Sequence, residues 1–462
     1  MTEGDGGGSG SGGTETETDS SGSASATVEF WSFLARENSA ANKAITSALK
    51  TYEEQNSGVK VNLQGFSAQD LRERLSPAVS GGNAPDLAES GTTGLPFFLN
   101  DQVADHNAYF EETGLAQDYT QAQLDSARYR GDFWAGGGNR HLVTLLAVVP
   151  DMFKQVGIDD PSGLETWTDY RRAVDKIDKQ MDDVIAFEET GVPGDLESYW
   201  GEARTAYTEG QDPWIRGSGS DPTVVVNNSD HEDRPRTDGM IQNCVEMART
   251  YSSSNSASRS DEDMPALLLT GRAASFMYGL GSPTRYRSVK SDATFGWDGD
   301  VWQGKLPRLD ANYGDEFGNE DLAGLEGGHG GHLWTLEFMH QVFSQSDVQE
   351  EAFDLMTFVN TSEEYNLDLL SQAYPAAATY KPLNEKIVSQ FDFPQIQQPL
   401  YEFPERFGDQ YNTTGAPWDL RETGQLRWTD LNETISQGIA GQHSASKTPS
   451  LVRKRMMKTI SG

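Results

Sequence analysis

The chain is rich in rings that can act as flat apolar platforms, with ten tryptophans and sixteen tyrosines. Some stand beside polar groups, as in Trp31-Ser32 and Trp418-Asp419, and Tyr199-Trp200 places two rings together. A ring next to a hydroxyl, carboxylate or guanidinium suits a polar guest with flat faces: the ring covers the C–H surface while its neighbours bond the rim. Covalent chemistry finds less support. There is no G-x-S-x-G elbow and no phosphate-binding loop. His329-x-x-His332 lies in a glycine run without a helical scaffold, a third ligand or a glutamate at the metalloprotease offset, so the metal reading is set aside. Cys244 is the sole cysteine, which excludes an internal disulfide and a cysteine-based zinc site. It is expected to pack inside a helix from Asp238 to Tyr251, and no cofactor is expected.

A length of 462 residues favours two or three domains with sizeable cores. Acidic residues number 71 against 36 basic ones, for a net charge of -35. Such a chain repels nucleic acid phosphates and anionic lipid headgroups, so neither is expected as a partner. The acids are spread along the chain and arginine outnumbers lysine 23 to 13. That pattern fits a halophilic protein, because concentrated salt cuts the Debye length to about 3 Å and screens self-repulsion; an ordinary acidic secreted protein is the alternative. Four sequons, at Asn227, Asn360, Asn412 and Asn432, point the same way, outward. No apolar run of about 18 residues occurs, and no apolar h-region follows Met1.

Residues 1–26 contain Gly, Ser, Thr, Asp, Glu, Ala and Met1, with no aromatic or branched aliphatic side chain, a composition that cannot bury enough surface to fold. The expectation is a flexible acidic linker of the kind that follows a lipidated cysteine, so that membrane contact comes only through a lipid anchor. A plain disordered N-terminus is the alternative.

The elements that must position the polar and aromatic groups begin at Thr27. Val28 to Phe33 alternates and then turns aromatic, as a first strand does. A helix over Ser39–Gln55 and a second alternating run, Val59–Leu63, complete a β-α-β unit. Ser67-Ala68-Gln69-Asp70 caps a helix that runs to Gly81-Gly82, and Ala84–Ala88 opens a third strand. This alternation implies a parallel, doubly wound sheet with its ligand site beyond the strand C-termini. Helical spacing covers Trp167–Met181, Asp221–Asp238 reads as a loop, and Ala273–Tyr278 and Leu333–Phe338 read as strands. Gln349–Asn360 and Trp428–Gly441 read as amphipathic helices, and no internal repeat is present.

In order, these landmarks resemble the family-1 extracellular solute-binding proteins of ABC importers, the maltose-binding-protein-like group, over roughly Thr27 to Gly462. The resemblance is carried by Phe30-Trp31-Ser32, by Gly82-Asn83-Ala84-Pro85-Asp86-Leu87, and by Val149-Pro150-Asp151-Met152-Phe153 followed by Gly157-Ile158 and Thr166-Trp167. Gly271-Arg272-Ala273-Ala274, the glycine-rich break before Trp334, and Tyr374-Pro375 continue it. Two departures stand out: Val149-Pro150 precedes the aspartate turn, and Gly136-Gly137-Gly138-Asn139-Arg140-His141 replaces a Pro-containing approach.

The resemblance implies an α/β, two-lobed periplasmic-binding-protein-like fold of type II, each lobe a doubly wound sheet flanked by helices. It places 27–142 and 328–371 in an N-terminal lobe, and 143–327 and 372–462 in a C-terminal lobe. It implies a monomer that closes on a carbohydrate and delivers it to the transmembrane subunits of an ABC permease, with no catalysis. A glycoside hydrolase, which needs two carboxylates about 5 to 9 Å apart, and a glycan-binding surface protein outside transport are the alternatives.

Trp31 and Ser32, at the end of the first strand, either touch the ligand or pack in the core. Asp86 is read as a structural brace, with ligand contact placed on Glu89 and Ser90 beyond it. Arg140 and His141, after the glycine run at the first lobe crossing, either pair with a hydroxyl-rich or acidic sugar or face solvent. Of Tyr199 and Trp200, one is expected to stack and one to pack. Tyr278 is the expected stacking ring after Arg272, with Gly281 allowing close approach. His332, Trp334 and Tyr374 fall near the hinge, and Trp418 either closes the cleft or packs.

Overall fold

The computed structural model describes residues 26–36, 39–193, 196, 206, 212–216, 222–277, 283–327, 332–334, 338–398, 422 and 424–461. The first sheet grows from the opening β-α-β-α pattern. Strand β1 (Ala26–Ser32) is followed by helix α1 (Ala40–Gln55), strand β2 (Val59–Gly65), helix α2 (Ala68–Ser80) and strand β3 (Leu87–Glu89). Ser39 and Ser67 cap the two helices, their hydroxyls accepting from the N–H groups of Asn42 and Asp70. β1 lies parallel to β2 from Ala26 opposite Val59 to Ser32 opposite Gly65, and parallel to β3 with Phe30 opposite Leu87. Val28 and Phe30 bury one face against α1, through Ile45, Leu49 and Tyr52.

Strands β4 (Arg140–Thr144) and β5 (Leu146–Val148) carry the chain out of this body into a second one. β5 is the centre of a three-stranded sheet, with β6 (Ser275–Met277) and β7 (Trp302–Gly304) on either side. Both flank it in antiparallel fashion. The first sheet also gains an antiparallel member, β9 (His340–Val342), against β3. The β-α alternation implies only parallel neighbours; these added strands arrive from distant segments, and local alternation carries no information about them.

Helix α3 (Trp167–Gln180) shows how sequence makes the second core. Thr166 accepts from the N–H of Asp169 as its cap, and Trp167, Tyr170, Val174 and Ile177 are buried along one face. Burying each aliphatic member contributes roughly 1.5–3 kcal/mol. Helix α4 (Arg234–Tyr251) starts four residues earlier than the spacing predicts, inside the expected loop, because Pro235 falls in the first turn, where no N–H is needed. Cys244 on α4 is wholly buried in the second core, as expected.

The two bodies meet at a small third sheet. β4 pairs antiparallel with β8 (His332–Trp334) and with β10 (Ala377–Ala378). Three passages of chain thus run side by side at the junction. The sequence expectation assigned everything from 372 onward to the second lobe, yet Ala376, Ala378, Leu383 and Ile387 are buried in the first core. Leu426, Leu431, Val452 and Met456 pack in the second core instead.

Candidate functional site

Ser32 ends β1, Glu89 ends β3 and Arg140 opens β4. β1 and β3 run parallel and end side by side, which sets Ser32 next to Glu89, and Arg140 reaches them from a strand of the junction sheet. Arg140 Nη2 donates to Glu89 Oε1 at 2.6 Å, and both side chains are buried. The Ser32 hydroxyl and the Phe33 N–H donate to Glu89 Oε2 at 2.8 and 3.2 Å. Arg140 Nη1 donates to Asn139 Oδ1 at 2.6 Å. Burial by itself would raise the Glu89 carboxyl; the Arg140 guanidinium outweighs it and, with the Ser32 bond, holds the group below the usual carboxylate range.

Three rings surround the guanidinium. Its carbon lies 4.1 Å from the ring centroid of Phe338, 5.3 Å from Tyr374 and 5.4 Å from Phe33. Arg140 Nε has no hydrogen-bond partner among the described residues, which fits a side chain enclosed by ring faces. Phe33 and Tyr374 are half-buried and pack against both the first and the second core. The site therefore combines aromatic surface shared by both bodies with a charge pair that is already neutralised.

His340 stands behind this cluster, its Nδ1 bonded to Asn360 Oδ1 at 2.8 Å, and burial pushes its pKa down to about 4. A neutral imidazole there adds no charge. Among the described residues no group of three metal-ligating side chains occurs.

The structure separates the other sequence candidates. Trp31 faces away from the cluster: it packs under α2 beside Leu75, Val79 and Phe97, 5.0 Å ring to ring from Phe66. Ser90 is buried, its N–H donating to Met339 O at 2.8 Å. His141 is buried with Nε2 2.8 Å from the Thr120 hydroxyl, and burial pushes its pKa down to about 3. Asp86 accepts from Glu29 N–H and from the Ser346 hydroxyl, the bracing role expected of it. The backbone of His332 and Trp334 lies in the crossing sheet. Tyr199, Trp200, Tyr278, Gly281 and Trp418 lie outside the described residues.

Phe33 and Phe338 were not singled out by sequence reasoning. Phe33 follows the first strand directly, so the rule that ligands bind beyond strand ends reaches it one residue past Ser32. Phe338 is carried in by a long-range return of the chain, for which no local signal exists.

A model of the bacterial extracellular solute-binding protein family matches residues 36–366. Three solved structures share the fold at low identity. A solute-binding protein of an ABC transporter from Thermotoga lettingae, bound with α-D-tagatose, is 16% identical, with a TM-score of 0.69 over 94% of this chain and 100% of that one. An ABC substrate-binding protein from Listeria monocytogenes in complex with cycloalternan is 16% identical, with a TM-score of 0.67 over 94% and 99%. A maltose/maltodextrin-binding domain from Bdellovibrio bacteriovorus bound to maltotriose is 14% identical, with a TM-score of 0.67 over 94% and 100%. No curated protein matches the chain.

Proposed function

The chain belongs to the bacterial extracellular solute-binding protein family, and from that premise we propose that it captures a carbohydrate between its two lobes and delivers it to a membrane-embedded ABC permease. The observation that carries this reading is the placement of Phe33 and Tyr374, half-buried rings that touch both cores beside Arg140. A sugar laid against such rings gains contacts from both lobes only when they are closed, and that difference drives closure. The charge at the junction favours a neutral guest. Arg140 is already paired with Glu89, and a net charge of -35 repels anions at long range.

In this reading Ser32, Glu89 and Arg140 form the floor of the cleft and set the position of Phe33. Lobe assignments follow the two cores, with 376–387 moved to the first lobe and 424–461 kept in the second. The solved relatives with bound saccharides support the ligand class by analogy. We read the protein as a monomeric surface receptor that binds without turnover.

A thermal-shift screen of mono- and oligosaccharides tests the proposal, since a ligand that binds only the folded chain raises the midpoint by mass action. At least one sugar is expected to raise it, with no new reducing ends on prolonged incubation. A shift with polyols, phosphates or metal ions while every sugar is inert would overturn the ligand class, and steady release of reducing ends would make the chain a hydrolase.

A further inference from the structure

Arg36–Glu262 and Arg72–Trp428 join the lobes away from the three chain crossings. Arg36, four residues past the end of β1, places Nη2 2.5 Å from Oε1 of Glu262. Arg72 on α2 places its guanidinium carbon 5.1 Å from the ring centroid of Trp428. Each contact takes one partner from each lobe. Leu34 and Ala35, beside Arg36, are buried in the first core. Met264, two residues past Glu262, packs with Ala147 of β5 and Phe276 of β6, and Trp428 packs on the second core.

Both ends of the ion pair rest on stiff supports. Asn42 Nδ2 donates to Ala35 O at 2.8 Å, and Gly65 passes so close that a Cβ there would lie 1.8 Å from the same oxygen. Across the gap, Asp261 is bonded to Arg285 at 2.9 Å and Asp263 lies 3.5 Å from Arg259. The acids flanking Glu262 are thus taken up within their own lobe, and Glu262 is left to reach the other.

We propose that Arg36–Glu262, seconded by Arg72–Trp428, is a latch that biases the lobes toward closure independently of any solute. Neither contact passes through a guest, so its contribution does not wait for one. Both partners of the ion pair are about half exposed, at 53% and 55%, so screening keeps the bias modest: a few-fold in the closed-to-open ratio, not an irreversible lock. A modest bias is functional, because a ligand that binds only the closed form has an apparent dissociation constant equal to its intrinsic one divided by the closed fraction, so raising that fraction tightens binding. The inference rests on the proposed reading only for the existence of a hinge; the identity of the solute does not enter.

Energy transfer between one dye on each lobe, attached through Glu54→Cys and Asp178→Cys, tests it in the full chain with no sugar added. The native Cys244 is buried and spared from labelling. Arg36→Glu and Glu262→Arg, each alone, set like charges against each other and are expected to lower the closed-to-open ratio about fivefold. The double swap is expected to restore it. Lys179→Glu, which reverses one partner of an ion pair within the second lobe, is expected to leave it unchanged. Single variants as closed as the parent, or a swap as open as the singles, would overturn the latch. A chain that passes this test and ignores every sugar would refute the ligand class and leave the latch standing.

Discussion

Arg140 and Glu89 stand 51 residues apart in sequence, and their side chains meet at 2.6 Å almost entirely out of solvent. The pair ties the start of the crossing strand to the end of a strand in the first sheet. Removing one partner leaves a buried charge uncompensated, a change that costs about 3–5 kcal/mol in stability. Glu89→Gln and Arg140→Met are each expected to lower the urea midpoint accordingly. The double variant is expected to recover a large part, because both charges are then gone. Independent, additive losses would show that the two side chains do not act as a pair.

His106 gives a pH dependence with a definite sign. Its Nδ1 is 2.9 Å from Ala104 O and its Nε2 accepts from the Val342 N–H at 3.3 Å, so the folded state needs the neutral ring. Burial accordingly pushes its pKa down to about 4. An unfolded histidine titrates near 6.5, so this contribution is complete above about pH 6.5 and is lost as pH falls toward 4, by about 1.4 kcal/mol per unit. Raised carboxyls such as Asp238, pushed up to about 6 chiefly by burial, act in the opposite direction over part of that range, so the comparison must be differential. Denaturation of the parent and of His106→Asn at pH 7.5, 6 and 5 is expected to show a steeper acid loss in the parent. Parallel slopes would count against a neutral buried His106.

The part of the fold that sequence disclosed is the part written locally. Alternation in Val28–Phe30, the Ser39 and Ser67 caps, and the apolar face of Trp167–Ile177 each lie within a few residues of the structure they specify. The pairing of β9 with β3 joins segments about 250 residues apart, and no short-range pattern encodes it. The site divides in the same way. Ser32 was reachable from the end of the first strand, Glu89 from the turn after Asp86 and Arg140 from the glycine run before the lobe crossing, whereas Trp31 was a misleading neighbour: alternation turns its ring to the α2 side while Ser32 faces the junction. Phe338 belongs wholly to tertiary structure.

Tyr374 is expected to matter for capture more than for folding. Its ring touches both cores and lies 5.3 Å from the Arg140 guanidinium while remaining half-buried. Tyr374→Phe keeps the face and is expected to retain most of the affinity. Tyr374→Ala removes the face and is expected to weaken sugar binding about 5- to 10-fold, in line with roughly 1 kcal/mol for a lost ring contact. Calorimetry with the sugar that gives the largest thermal shift reads the difference. Equal affinities in all three proteins would remove Tyr374 from the site.

Gly138 tests whether the crossing tolerates any slack. A Cβ built at this position would lie 2.0 Å from the carbonyl oxygen of Phe338, a backbone atom that cannot turn aside as a flexible side chain does. The Gly138 carbonyl also accepts from the Thr379 hydroxyl, and Asn139 O accepts from the Thr379 N–H at 3.2 Å. Three passages of chain are therefore packed backbone to backbone at the point where the lobes join. Gly138→Ala forces the 338 segment outward, carrying Phe338 off the Arg140 guanidinium, and overpacking of this kind costs about 1–3 kcal/mol. Gly82→Ala supplies the contrast, since that site has a positive φ of 74° but nothing within 4 Å of the added methyl, so only conformational strain applies. Both variants are expected to lower the thermal midpoint, but only Gly138→Ala is expected to weaken sugar binding as well. If the two lose stability and affinity in the same proportion, the crossing does not position the aromatic cluster, and its close packing serves the fold alone.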